Sequence, residues 1–166
     1  LNLLLCDITE ILDKAVKASE SDLSAHRIQV HRDYAQKVGK LYLDAEQMEQ
    51  VFGSLISNAI DAMSGGGHLY VRVHRSPLAR LSSQSHAGPG EGPTEEVVVQ
   101  IEDSGSGIPP EMVGRIFEPF FTTKPKKLGL GLTIAQQIVE AHGGRISLQS
   151  AAGQGATFTI NLPRKV

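Results

Sequence analysis

Cysteine occurs once, at Cys6. No intrachain disulfide framework can hold such a chain, and a reducing compartment suits it. No apolar run approaches the roughly 20 residues that a membrane-crossing helix needs. Neither sign of charge is in excess: the formal net charge is -2 and the charged fraction is 20%. With no basic stripe, nucleic acid is not an expected partner. Two common nucleotide fingerprints are also missing, because neither GxGxxG after the first predicted strand nor GxxxxGK followed by Ser or Thr occurs. Histidine and cysteine do not fall at zinc-ligand spacing. What is present is an ordinary soluble composition of 166 residues, 40% of them hydrophobic. That is enough for one domain with a sizeable core, expected over residues 1–166. Position 1 is Leu1 rather than methionine, which points to a piece of a longer chain.

Hydrophobic periodicity sets out the elements. Residues 1–6 are apolar apart from Asn2 and suit a short extended arm. Asp7 and Glu10 fit a capping box, and Ile8, Ile11, Leu12, Ala15 and Val16 recur at helical spacing, which predicts a helix over about 9–21. Ile28 and Val30 alternate with polar residues, Gly39 marks a turn, and Leu41 and Leu43 follow. This reads as a hairpin of two strands. Asp44, with Gln47 at the reciprocal capping position, opens a long helix whose apolar face runs from Met48 to Met63. A face so broad belongs to a largely buried helix. Gly65, Gly66 and Gly67 stop it, and Leu69, Val71 and Val73 alternate in the next strand. The stretch 76–94 is rich in Ser, Gly and Pro. It reads as a long hairpin loop, either a tolerated surface insertion or a binding insertion. A β-branched strand over 97–101, a short helix over 111–116, a helix ended by Gly143 and Gly144, and strands over 145–149 and 156–162 complete the chain. The expected fold is α/β: a two-layer sandwich with a mixed, mostly antiparallel sheet covered on one face by three helices.

Several segments place polar or glycine features at element ends. Asn58 and Asp61 are three apart on the long helix and share a face. Asn58 lies among Leu55, Ile56 and Ala59, where an amide needs partners. It either caps a neighbouring loop or serves a ligand or Mg²⁺, which prefers oxygen donors and retains waters beside phosphates. Asp103 ends a strand and is followed by Gly105, Gly107 and Ile108. It is a plain turn aspartate or an acceptor for an exocyclic amine, the glycines letting a flat ring pack close. Gly129, Leu130, Gly131 and Leu132 precede or open a helix, where free N–H groups favour phosphate. Of Lys124, Lys126 and Lys127, Lys124 is the favoured phosphate contact, because Phe120, Phe121 and two threonines tether it locally. The six histidines read as surface or packing residues.

The ordered motifs NAIDAM (58–63), DSGSGIP (103–109), FEPFFTTK (117–124), GLGL (129–132), EAHGG (140–144) and GQGATF (153–158) cover essentially the whole chain. Together they resemble the ATP-binding catalytic domain of sensor histidine kinases, within the superfamily shared with DNA gyrase, Hsp90 chaperones and MutL proteins; the resemblance implies the Bergerat-type ATP-binding fold. It also implies that Asn58 coordinates Mg²⁺ bridging the ATP phosphates, with Asp61 nearby acting through Mg²⁺ or solvent. Asp103 would bond the adenine amine, with Gly105, Gly107 and Ile108 flanking the pocket. Phe117 to Lys124, including Phe120, would begin a mobile lid. Gly129 and Gly131, with their neighbours Leu130 and Leu132, would meet the phosphates, and Thr157 would lie near adenine-side waters. Asn58 and Lys124 are the expected catalytic contacts.

One departure matters. Family members usually carry Asn four residues before the motif asparagine, and related ATPases carry Glu there to position water. This chain has Ser54, which has no carboxylate and argues against strong intrinsic ATP hydrolysis. The alternatives are therefore a nucleotide-binding pseudoenzyme or an ATP-gated conformational module, the latter requiring the Glu that is absent. The implied partners are a dimerisation and phosphoacceptor helical hairpin of the same full-length protein and a response-regulator receiver domain. The isolated domain is expected to be monomeric and unable to autophosphorylate. The expected location is cytoplasmic, including the cytoplasmic portion of a membrane-bound sensor.

Overall fold

Asp44 starts the helix on which the other elements pack. Its carboxylate accepts the Gln47 N–H at 3.2 Å, satisfying an orphan donor of the first turn. Helix α3, Ala45–Ala62, follows, with Met48, Val51, Phe52, Leu55, Ile56, Ala59 and Ile60 buried along it. In the structure, a computed structural model, residues 1–77, 95–119, 131–151 and 153–164 are described. Before α3 come β1 (Leu4–Asp7), α1 (Ile8–Ala18), α2 (Glu20–Ala25), β2 (Ile28–Tyr34) and β3 (Lys40–Leu43). After it come β4 (Gly67–Pro77), β5 (Glu95–Asp103), α4 (Pro110–Val113), α5 (Gly131–Ala141), β6 (Arg145–Ser150) and β7 (Ala156–Arg164).

Among the described residues, five strands form the main sheet in the order β2-β4-β5-β7-β6. β2 and β4 are parallel, and the other neighbours are antiparallel. Side chains alternate across a strand, so one sheet face carries Leu69, Val71 and Val73 from β4, Val97, Val99 and Ile101 from β5, and Phe158, Ile160 and Leu162 from β7. All of these are buried. They join one core with Ile8, Ile11 and Leu12 of α1, the apolar face of α3, and Leu132, Ala135, Ile138 and Val139 of α5. The expected sandwich, with three helices over one face of a mixed sheet, is the one observed. No helix among the described residues is long and apolar enough to cross a membrane.

The expected hairpin of the second and third strands does not form. β3 pairs antiparallel with β1, Leu4 opposite Leu43, while β2 pairs with β4, Ile28 opposite Gly67. The physical reason lies in α3. Its apolar face must cross the sheet between β2 and β4, and a helical crossover returns the chain parallel. The extended arm at the N-terminus then becomes the partner of β3. Helix α2 is a further element that the periodicity did not predict. β4 and β5 extend beyond their expected ends, to a last pair of Pro77 and Glu95, so the expected insertion at 76–94 lies outside the described residues from 78 onward.

One bond ties the end of α5 to the start of α3, and a second fixes the ring that makes it. The Asp44 N–H donates to His142 Nε2 at 3.0 Å, and His142 Nδ1 lies 2.7 Å from the Ile138 carbonyl. Nε2 accepts, so Nδ1 carries the proton and donates. His142 is a packing residue, as read from the sequence, and it holds the C-terminal end of α5 against the start of α3.

Candidate functional site

β5 belongs to the buried face through Val97, Val99 and Ile101, and Asp103 is the next residue of that alternation. The hydrophobic pattern thus carries a carboxylate into the interior at the end of the strand, where Asp103 is 5% exposed. A buried carboxylate must be hydrogen-bonded. It accepts the Gly105 N–H at 2.9 Å, an Asx turn that bends the chain away from the sheet.

The loop after Asp103 is packed on three sides. A Cβ on Gly105 would collide with the Ala62 carbonyl at the end of α3, and that carbonyl accepts the Ser106 N–H at 3.4 Å. Gly107 has φ +74°, and a Cβ there would strike the Ala151 carbonyl. The Ile108 N–H donates to Ser150 Oγ at 2.7 Å, and Ser150 Oγ donates to the Gly155 carbonyl at 2.9 Å. Ser104 is clamped to β4: its N–H donates to the His68 carbonyl at 3.2 Å, and its Oγ accepts the His68 N–H at 2.9 Å. Glycine is required at 105 and 107 because backbone occupies the space a side chain would take.

Asn58 lies on α3 one turn before its end, and Asp61 is next to its last residue. Asn58 is half-buried and Asp61 exposed, and among the described residues no hydrogen bond engages the Asn58 amide. α5 begins at Gly131, whose added Cβ would sit 3.7 Å from Ser54 Oγ. Ser54, one turn ahead of Asn58, therefore faces the start of α5, and Leu132 is buried just inside that helix. The structure brings Gly105, which bonds the Asp103 carboxylate, to the C-terminal end of α3, Gly107 and Ile108 to the end of β6 and the turn after it, and Gly131 to the middle of α3 beside Ser54. Phe120, Lys124, Gly129 and Leu130 lie outside the described residues.

Thr157 is placed elsewhere. It is the cross-strand partner of Glu102, whereas Ala156 is the partner of Asp103. Alternation puts Thr157 on the sheet face opposite the Asp103 carboxylate, and Ala156, 5% exposed, is the β7 residue beside it. Ala62, Ser104, Ser150 and Ala156 were not singled out from sequence. For Ser150 a signal existed: Ile146, Leu148 and Ser150 form one alternating face of β6.

These residues suit the groups expected here. A carboxylate at the base of a glycine-lined loop accepts from an amine on a flat ring. An asparagine amide without a partner among the described residues is the kind of single oxygen donor that Mg²⁺ takes when phosphates and waters supply the rest. Among the described residues no group of three or more His, Cys, Asp or Glu could hold a metal ion.

Residues 43–166 match the model of the histidine kinase-, DNA gyrase B- and HSP90-like ATPase family. The chain belongs to that family. Within it, the chain is an ATP-binding catalytic domain of the histidine kinase kind. The alginate biosynthesis sensor protein KinB of Pseudomonas aeruginosa is 33% identical over 165 residues, 98% of this chain and 25% of that protein. The sensor kinase CckA of Brucella abortus is 36% identical over 162 residues, 96% of this chain and 17% of that protein. The chain thus spans a quarter or less of the length of these two kinase relatives. Among solved structures, the nucleotide-free catalytic domain of histidine kinase ThkA superposes with a TM-score of 0.79 at 25% identity, covering 99% of both chains. The Acinetobacter baumannii histidine kinase AdeS gives 0.73 at 28% identity, covering 100% of this chain and 69% of that one.

Proposed function

We propose that this domain binds ATP with Mg²⁺ and presents the γ-phosphate to an acceptor histidine lying outside this sequence, as the catalytic domain of a two-component sensor kinase. The observation that carries the reading is the buried Asp103 carboxylate at the end of β5, at the base of a loop that Gly105 and Gly107 let pack against the Ala62 and Ala151 carbonyls. In this reading Asp103 accepts a hydrogen bond from the adenine amine, and the bound base excludes water from it. The N-terminal N–H groups of α5, at Gly131 and Leu132, favour phosphate through unsatisfied donors and the helix dipole. Asn58 offers its amide oxygen to Mg²⁺, and Asp61 acts beside it through the metal or solvent. Bound Mg²⁺ would supply positive charge that offsets the phosphates. Lys124 is assigned to phosphate and Phe120 to the lid, with Gly129 and Leu130 at the phosphates, on motif alone.

Transfer needs little covalent chemistry from this domain. Positioning and charge neutralisation lower the barrier, and the acceptor imidazole is itself the nucleophile. Ser54 beside Gly131 offers no carboxylate to activate water, which favours transfer over hydrolysis. The same serine favours a second reading, a nucleotide-binding pseudoenzyme. The proposed partners are the acceptor-bearing helical hairpin of the full-length protein and a response-regulator receiver domain. A solved structure of ThkA, 24% identical to this chain, is of that kinase in complex with a response regulator protein. The proposed location is cytoplasmic, and the isolated domain is proposed to be monomeric.

Calorimetric titration with ATP·Mg²⁺ tests the reading. Asp103→Asn is expected to weaken binding by about 10- to 100-fold, the loss of a hydrogen bond to a charged group. Unchanged affinity in a folded variant would remove the adenine assignment.

A further inference from the structure

The sheet face turned away from the helices carries a pair of histidines that the nucleotide site does not use. His31 stands on the edge strand β2 and His68 on its neighbour β4, and both are exposed. His31 Nε2 and His68 Nδ1 are 2.9 Å apart. Both rings sit on fixed backbone. Tyr70, the cross-strand partner of His31, stacks on the His31 ring at 4.9 Å between centroids and 18° between planes. His68 is pinned through its N–H and carbonyl, both bonded to Ser104. The nearby cation is already compensated: Arg72 lies over Tyr70 at 5.0 Å and pairs with Glu102 at 2.6 Å.

From this geometry we infer a two-histidine site for a late first-row divalent metal ion such as Ni²⁺ or Zn²⁺. Imidazole nitrogens bind these ions at about 2.0–2.1 Å. Two such nitrogens at a right angle on one metal are therefore about 2.9 Å apart, and about 3.3 Å apart at the tetrahedral angle. The pair already holds this spacing. In the metal-free pair one facing nitrogen donates its proton to the other. For binding, the donating ring moves that proton to its other nitrogen, so both facing lone pairs become free and no net proton is lost. Small ring rotations then converge the two nitrogens, and water completes the coordination. Only rotamer adjustment is required, because the strands fix both Cα positions.

Ni²⁺ alone is the probe, since it does not oxidise Cys6. Calorimetry of the whole chain in a non-coordinating buffer is expected to give one ion per chain. Paramagnetic broadening should fall first on the His31 and His68 ring resonances. His31→Gln and His68→Gln should each weaken binding by tenfold or more, at least the cost of losing an outer partner of a metal ligand. His74→Gln, on the same sheet face, should not. Unchanged melting temperatures without metal establish that these exposed substitutions leave the fold intact. The inference is overturned if Ni²⁺ does not bind, or if the doubly substituted chain binds it as tightly as the parent.

Discussion

Gly155 has φ +79°, and a Cβ there would strike the Asp103 carbonyl. The β6–β7 turn thereby presses on the strand end that positions the site carboxylate. Gly153 has the same φ but nothing within 4 Å among the described residues, so the two glycines separate backbone strain from collision. Gly153→Ala is expected to cost about 1 kcal/mol, the left-handed penalty alone. Gly155→Ala should cost about 2 kcal/mol or more, which thermal melts will read as a clearly larger drop. Asp44 offers a second test. The backbone N–H groups of Asn2 and then Gln47 hold its carboxyl below its usual range. A depressed carboxyl pKa in the folded state adds stability that is fully present above the unfolded value, about 3.9. That stability is lost as pH falls through the lower, folded value. Acid unfolding followed by circular dichroism should therefore lose part of its pH dependence below about pH 4 in Asp44→Asn. An unaltered acid limb would mean that Asp44 is not one of the groups driving it.

Among elements, capping and wide apolar faces were the readable signals. Asp44 followed by the Met48-to-Met63 face gave α3 within a residue of its observed start, because the cap is a local bond. Strand partners were less readable. Ile28, Val30, Leu41 and Leu43 have the alternation of a hairpin, yet β2 and β3 go to different sheets. Alternation states which face a side chain takes and says nothing about which strand lies alongside. Helix α2 buries only Leu23, too little for a periodic signal. The register of β4 and β5, closing at Pro77 opposite Glu95, carries a prediction. The two strands are already paired to their ends, so residues 78–94 are not needed to set the register. Replacing them with a four-residue Gly-containing turn should preserve the fold. It should raise stability by about 1 kcal/mol, since two halvings of loop length save about 0.6 kcal/mol each. Chemical denaturation measures it, and a large loss would mean that the segment packs on the domain.

For the molecule as a whole, the question is transfer. The chain alone with γ-labelled ATP is expected to retain no label on protein. Added to a folded helical hairpin bearing the cognate acceptor histidine, it should label that histidine. ATP binding without label, with the hairpin verified as folded, selects the pseudoenzyme reading and gives Ser54 its significance. The family and the sandwich are legible in the sequence, because six motifs in order are hard to assemble by chance and the apolar periodicity names the layers. So was the candidate role of Asp103, since a carboxylate at the end of a buried alternation has to be satisfied. Thr157 shows the boundary of such reading. A motif supplies neighbours in sequence, and the pleat then sends adjacent residues to opposite faces, so Ala156 and not Thr157 stands beside Asp103.

The sequence by itself determined every helix and strand but α2, the caps, the buried face and the glycines after Asp103, all of which depend on bonds or sterics within a few residues. Only the tertiary structure decided that β1 pairs β3, that Ala62, Ala151 and Gly155 close around the Asp103 loop, that Ser54 meets Gly131, and that His31 reaches His68. Each of these joins residues far apart in the chain, and their distance is set by sheet register and helix packing rather than by any local preference.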